Sequence, residues 1–295
     1  MERIALPNGV TLSRLAYGAM RLGADPDRSL AHIRAKVAAC LDQGITTIDH
    51  ADIHGGYTVE GEFGDALKGS GLRERIEIVT KCGIVAPFGR HRATPVKHYD
   101  TSREHITASV DASLRLLQTD RVELLLIQRP DPMMDHAETG ATLDALVASG
   151  KVRAVGVSNF RPHDMAALQA AMKTPLATNQ IELSLQATAP FTNGDLVDLQ
   201  SRGLPPMAWS PLGGGQLMRD TGALGLLLDK MAKVSGTDRA AVAVAWLLAH
   251  PARILPVLGT NNLARIAALS DAFRVPMDRL QWFRLYQAAS GHAVP

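Results

Sequence analysis

The stretch Thr47–Tyr57, TIDHADIHGGY, opens as an apolar run and then presents Asp49, His50, Asp52, His54 and Tyr57 in quick succession. Carboxylates, imidazoles and a phenol crowded at the end of a buried segment can move protons, polarise a carbonyl or ligate a metal. Other apolar runs end in a similar way. Lys81 lies near the end of IEIVTKCG, Gln128 and Arg129 close VELLLIQR, and Ser158 and Asn159 close VRAVGVSN. Asn179, Gln180 and Glu182 lie in LATNQIEL, and Trp209 and Ser210 in PMAWSPL. Taken singly, each is as readily a satisfied structural polar group. Their recurrence at the same end of run after run points to a shared site.

A second cluster could hold phosphate. SPLGGGQL follows one run, and GTNNLARI follows the last. Glycines 213–215 would let backbone approach a ligand closely. Thr260 and Asn261 are placed to cap a helix opening there, and Arg265 would lie one turn in, within reach of a phosphate.

These residues need a frame that brings strand ends together. Apolar runs recur at 12–19, 46–51, 76–83, 122–129, 152–159, 176–183, 206–212 and 254–259, with amphipathic helix-like segments such as SLAHIRAKVAACLDQG and REHITASVDASLRLLQ between them. Gly44 and Gly150 stand just past such segments, as helix-terminating glycines do. Strands alternating with helices predict a parallel sheet, and eight of them favour a closed (β/α)8 TIM barrel over an open sheet. Asn8-Gly9 between alternating apolar residues predicts an N-terminal β-hairpin, which would cap the bottom of the barrel. Residues 1–295 read as a single domain. Residues 84–100 read as a long loop after the third strand, on the side where such barrels place their chemistry.

Composition excludes other classes. The chain is 46% apolar and 20% charged, with a net charge of +2 and no basic run, which argues against nucleic-acid binding. Its apolar runs are too short to span a membrane, and MERIALPNGV lacks a signal-peptide core. Cys40 and Cys82 fall in a helical segment and a buried strand, so a reduced, cytoplasmic protein is the expectation. Oligomeric state is not encoded legibly, and a monomer is compatible with every feature above. A metal site built on Asp49, His50, Asp52 and His54 is not expected. Adjacent strand residues face opposite ways, and the other strand ends offer Lys81, Gln128 and Asn159 instead of metal ligands.

GAMRLG (18–23), IDHADIHGG (48–56), VTKCG (79–83), LLLIQRPDP (124–132), GKVRAVGVSNF (150–160), ATNQIELS (177–184), AWSPLGGG (208–215) and LPVLGT (255–260) follow one another in the order and spacing of a known family. The chain resembles the aldo-keto reductases along nearly its whole length. The resemblance implies a barrel that binds NADPH, in preference to NADH, and reduces a carbonyl on a small molecule by hydride transfer. Ser158, Asn159 and Gln180 would hold the nicotinamide amide, and Trp209 would stack on the ring. Ser210, Leu212, Gly213 and Gly215 would line the pyrophosphate, and Thr260 and Arg265 would approach the adenosine 2′-phosphate. Gly18, Met20, Arg21 and Asp49 would border the cofactor from the first two strands. The preference for NADPH rests on Arg265, since Asn261 and Asn262 stand where related proteins often carry a second basic residue. Substrate choice would fall to the loops after strands 3 and 4 and to the C-terminal segment with Trp282.

Members of this family use an Asp, a Tyr, a Lys and a His. Asp49 and Lys81 match, whereas His54 stands in the place of the tyrosine acid and Gln128 in the place of the histidine. A neutral imidazole donates a hydrogen bond but gives up a proton poorly, so slow reduction that quickens as pH falls is the expectation. The Gln128 amide can still donate to a substrate oxygen. Tyr57, past two glycines, is a substitute acid only if the loop shifts. The other reading is a catalytically impaired NADPH-binding sensor or scaffold.

Overall fold

The computed structural model describes residues 1–294. Eight parallel strands form a closed barrel: β1 (Ala16–Gly18), β2 (Thr47–Asp49), β3 (Glu77–Cys82), β4 (Val122–Ile127), β5 (Val152–Ser158), β6 (Leu176–Glu182), β7 (Met207–Trp209) and β8 (Leu255–Leu258). Neighbours in space are neighbours in sequence, and β8 closes onto β1 through Val257↔Ala16 and Leu258↔Tyr17. The expected (β/α)8 TIM barrel is the observed fold.

The first apolar run divides. Thr11–Ser13 pairs antiparallel with Arg3–Ala5, and only Ala16–Gly18 enters the barrel. The corner is fixed by Ser13, whose Oγ accepts from the backbone N–H groups of Thr46 and Thr47 at 3.1 and 3.0 Å. Buried Arg14 also holds it by donating to the carbonyls of Ile254 and Leu248. Ile4, Leu6, Val10 and Leu12 of the hairpin pack in one cluster with Ala16, Val79, Leu124, Ala154, Ala177, Met207 and Leu255. Burying each aliphatic side chain there contributes about 1.5–3 kcal/mol. The hairpin thus plugs one end of the barrel, as expected, and leaves the C-terminal strand ends for chemistry.

The alternation of strand side chains explains why polar groups gather there. Val79, Leu126 and Met207 point into the buried barrel cluster, so the residues two further on, Lys81, Gln128 and Trp209, form the next layer toward the mouth. Ala16 and Val257 stand below Gly18 and Gly259 in the same manner. Strand β6 departs from the rule. Its register against β5 shifts between Leu176 and Asn179. The shift turns Gln180, not Asn179, toward Asp49.

Residues 84–100 are more ordered than a plain loop. Ile84–Val85 and His98–Tyr99 pair as a short antiparallel ribbon, with a helical turn at Gly89–His91 between them. The C-terminal helix Arg279–Ser290 begins with Asp278 and Gln281 satisfying each other's backbone N–H groups. Trp282 does not line the mouth. It stacks on Trp246 at 4.9 Å, and each indole N–H donates to the other residue's carbonyl, at 3.1 and 3.0 Å. An aromatic with a satisfied N–H on the outer helical layer is a packing residue, which overturns its expected role in substrate choice. Cys40 and Cys82 are free and buried.

Candidate active site

Asp49 is the last residue of β2, and Lys81 the penultimate residue of β3. Lys81 Nζ donates to Asp49 Oδ2 and to the His50 carbonyl, both at 2.7 Å. The other carboxylate oxygen of Asp49 accepts from Gln180 Nε2 at 2.8 Å. Both charged side chains are about nineteen-twentieths buried, at 5% and 6% exposure. A buried ion pair of this kind holds its geometry because neither member can be left alone in the interior.

His54 lies past β2 on a tight turn completed by Gly55 and Gly56, both in left-handed conformation. Gly55 has no room for a side chain, since a Cβ there would stand 2.7 Å from Val59 Cγ2. The His54 ring is oriented by its own backbone: Nδ1 accepts from the Ala51 N–H at 3.1 Å. That bond assigns the neutral ring's proton to Nε2, which has no hydrogen-bond partner among the described residues. Burial, then the charge of Lys81, then His50, hold the His54 pKa well below the ordinary imidazole value.

Tyr57 is committed elsewhere. Its hydroxyl donates to the Ile84 carbonyl at 3.2 Å and accepts from the Ala86 N–H at 3.0 Å, and burial raises its pKa. The Arg90 guanidinium lies over the Tyr57 ring at 4.8 Å and pairs with Asp52 at 2.7 Å. These contacts fasten the 84–100 excursion to the β2 turn. Asp52 and His50 therefore serve the architecture. Asp52 is fully buried, and the His50 ring packs edge-on to Phe63 at 4.4 Å. The two fully buried groups titrate abnormally: burial and Lys81 drive His50 down to about 3, and burial lifts Asp52 to about 7.

On the opposite side of the mouth, Ser158, Asn159, Gln180 and Trp209 form one network. Asn159 Nδ2 donates to Gln128 O at 3.1 Å and to Ser158 Oγ at 2.8 Å, and its Oδ1 accepts from Trp209 Nε1 at 2.9 Å. Ser158 Oγ donates to the Gln180 carbonyl at 2.8 Å. Asn159 sits at φ 63°, a conformation asparagine tolerates better than most residues. Trp209 is thereby fixed as a ring platform, with the Arg129 guanidinium 5.9 Å from its centroid. Gln128 belongs to this wall, and its Oε1 is buried without a partner among the described residues.

The phosphate elements also converge. Ser210 and Gly213, Gly214 and Gly215 all adopt positive φ, and Leu212 and Ser210 accept the backbone bonds that fold the turn. Arg21 donates to the Gly214 carbonyl at 3.2 Å, and Asn261 donates to the Arg21 carbonyl at 2.7 Å. The first and last strand loops thus meet over the glycine turn. Gly18 packs against Val257, Met20 is exposed beside Arg21, and the Thr260 carbonyl accepts from Tyr17. The helix cap differs from expectation. Asn262, not Thr260 or Asn261, accepts the Arg265 N–H at 3.0 Å, because Asn261 is turned back to Arg21 and Lys36. The exposed Arg265 guanidinium makes no ion pair among the described residues.

A dinucleotide fits this donor set on two observations. Gly214 and Gly215 have open space where a Cβ would stand. Gln180 Oε1, on the amide whose Nε2 donates to Asp49, has no donor among the described residues, which leaves an acceptor for a ligand. The Arg90 clamp is not legible in the sequence, because Asp52 and Arg90 are far apart along the chain and no spacing rule links them.

Comparison with known proteins agrees with this geometry. A 6-dehydroglucose reductase of Agrobacterium fabrum is 61% identical, with all of both chains covered. Another 6-dehydroglucose reductase, of Novosphingobium aromaticivorans, is 40% identical over 98% of this chain and 95% of its own. The crystal structure of a thermostable aldo-keto reductase with the inhibitor epalrestat superposes with a TM-score of 0.84, covering 98% of this chain and all of its own, at 24% identity. The model of the Aldo/keto reductase family matches residues 14–289. The chain belongs to the aldo/keto reductase family and is an oxidoreductase.

Proposed function

We propose that this protein reduces a small aldehyde with NADPH, and that the aldehyde is the oxidised C6 of a hexose. The observation that carries the reading is the buried Lys81–Asp49–Gln180 chain, set beside the fixed Trp209 platform. Bound NADPH supplies a hydride for the carbonyl carbon. Ser158, Asn159 and Gln180 bind and orient the carboxamide, and Trp209 fixes the ring plane. Arg21 and the glycine turn receive the pyrophosphate, with Thr260 and Arg265 toward the 2′-phosphate. Arg129 and the Gln128 amide line the substrate side, where a polyhydroxylated molecule finds donors. The sugar aldehyde follows from the relatives named 6-dehydroglucose reductase and from this polar wall.

His54 acts in this reading as a fixed hydrogen-bond donor. Neutral imidazole can polarise a carbonyl without being an imidazolium. Because protonating Nδ1 would forfeit the Ala51 bond, the ring stays neutral at and below neutral pH. The rise in rate expected as pH falls is therefore displaced below the usual assay range. The reading is tested by following NADPH loss with the 6-aldehyde of glucose, beside methylglyoxal and simple aldehydes. Turnover with the sugar aldehyde at a kcat/KM well above the others supports it. NADPH binding with no turnover on any aldehyde would replace it with the sensor or scaffold reading.

A further inference from the structure

We infer that Lys81 is the proton donor of this enzyme, and that His54 only holds the substrate oxygen. The inference rests on the reductase reading and assigns the acid within that site. An ammonium carries three N–H bonds. Two are committed, to Asp49 Oδ2 and to the His50 carbonyl at 2.7 Å each. The third has no acceptor among the described residues, although the side chain is only 5% exposed. A buried ammonium with an uncommitted N–H has a place for one more oxygen.

The other acids nearby are excluded by their contacts. Tyr57 is held between Ile84 O and Ala86 N. The His50 ring is fully buried against Phe63 and has no partner for either nitrogen among the described residues. Asp49 is a paired carboxylate. His54 keeps its single proton on Nε2, because the Ala51 N–H already points at Nδ1. Lys81 and His50 both oppose its protonation.

The step balances as follows. Hydride from the reduced nicotinamide adds to the carbonyl carbon, and the C=O π pair moves onto oxygen. That oxygen, held by His54 Nε2–H, takes a proton from Lys81 Nζ. The nicotinamide is left oxidised, the product is an alcohol, and Lys81 is left as a neutral amine. Lys81 recovers a proton from solvent once the alcohol leaves.

Two measurements test the assignment. Nitrogen NMR of the histidine rings, on the cofactor-free protein from pH 5 to 8, should show His54 with Nε2 protonated and Nδ1 bare throughout. An imidazolium near pH 7 would make His54 the acid and overturn the proposal. In the second, Lys81→Ala should lose about 10²–10⁴-fold in kcat, the usual worth of a general acid. Small primary amines should restore part of it, with a rate that tracks each amine's acidity. Rescue independent of acidity, or none in a folded variant, would leave Lys81 a mere positioning charge. If Asp49 left unpaired unfolds the variant, the double variant Lys81→Ala with Asp49→Ala removes both charges and takes the same test. Turnover by the parent is the control for the underlying reading. If the parent fails to oxidise NADPH with any aldehyde, the reductase reading fails; if it turns over, a failed rescue counts against Lys81 alone.

Discussion

Asp52 offers the sharpest test of how the β2 turn is held. Its side chain is completely buried, one oxygen pairs with Arg90 at 2.7 Å, and the other has no hydrogen-bond partner among the described residues. Burial raises its pKa from the usual 3.8 to about 7; Arg90 works against this and Glu60 adds to it. The folded state therefore binds more protons than the unfolded chain between those values. Stability is greatest below the unfolded pKa and is lost as pH rises through the folded one. At about 1.4 kcal/mol per pH unit, about 2–3 kcal/mol should disappear between pH 5 and pH 8. Asp52→Asn keeps the shape and abolishes the titration. Urea unfolding of parent and variant at several pH values gives the difference in stability. A constant offset from replacing an oxygen by an amide beside Arg90 does not matter, because only the slope is read. The difference should shift in favour of the variant by about 2–3 kcal/mol from pH 5 to pH 8. Parallel curves would refute the reasoning and show that Arg90 offsets the burial of the carboxylate.

Tyr57→Phe removes the acceptor of the buried Ala86 N–H and should lower stability by about 1–3 kcal/mol in the same assay. Its kcat should stay within about tenfold of the parent, because general acid catalysis by this hydroxyl would be worth about 10²–10⁴-fold. Arg265→Ala should weaken NADPH by roughly tenfold or more in a fluorescence titration and leave NADH unchanged, as a charged hydrogen bond to phosphate is worth about 1.5–3 kcal/mol. Gly213→Ala places a Cβ 2.0 Å from Gln186 Oε1 at a positive φ, so the Gln186 side chain must shift and the turn is strained. Weaker binding of both nucleotides should follow in that titration.

The barrel was legible because its code is local. Apolar runs of strand length alternate with helix-like segments, and the polar end of each run marks the mouth. Asp49, Lys81, Ser158 and Trp209 could be placed on that rule alone. Features that depend on distant partners were not legible. The register shift in β6 selects Gln180 over Asn179; the pattern of LATNQIEL does not announce it, and only the family resemblance singles out Gln180. Asn262 became the helix cap only because Asn261 bonds back to Arg21 across the barrel's closing seam. Trp282 looked like a mouth residue because it lies near the C-terminus, yet its partner Trp246 holds it on the outer layer. The His54 tautomer needed the Ala51 N–H, a backbone direction set by the turn and not by residue type.

The central claim is that this barrel reduces a carbonyl with NADPH although His54 stands where a tyrosine acid is expected. The most direct measurement is NADPH oxidation with a panel of aldehydes that includes the 6-aldehyde of glucose, from pH 5 to 8, comparing the parent with His54→Tyr. Nucleotide binding is followed by fluorescence in the same samples. The account predicts that both proteins bind NADPH, that the parent turns over without quickening toward pH 5, and that His54→Tyr stays within about tenfold of the parent because Lys81 already supplies the proton. Absence of NADPH binding, or binding with no turnover by the parent, would contradict it.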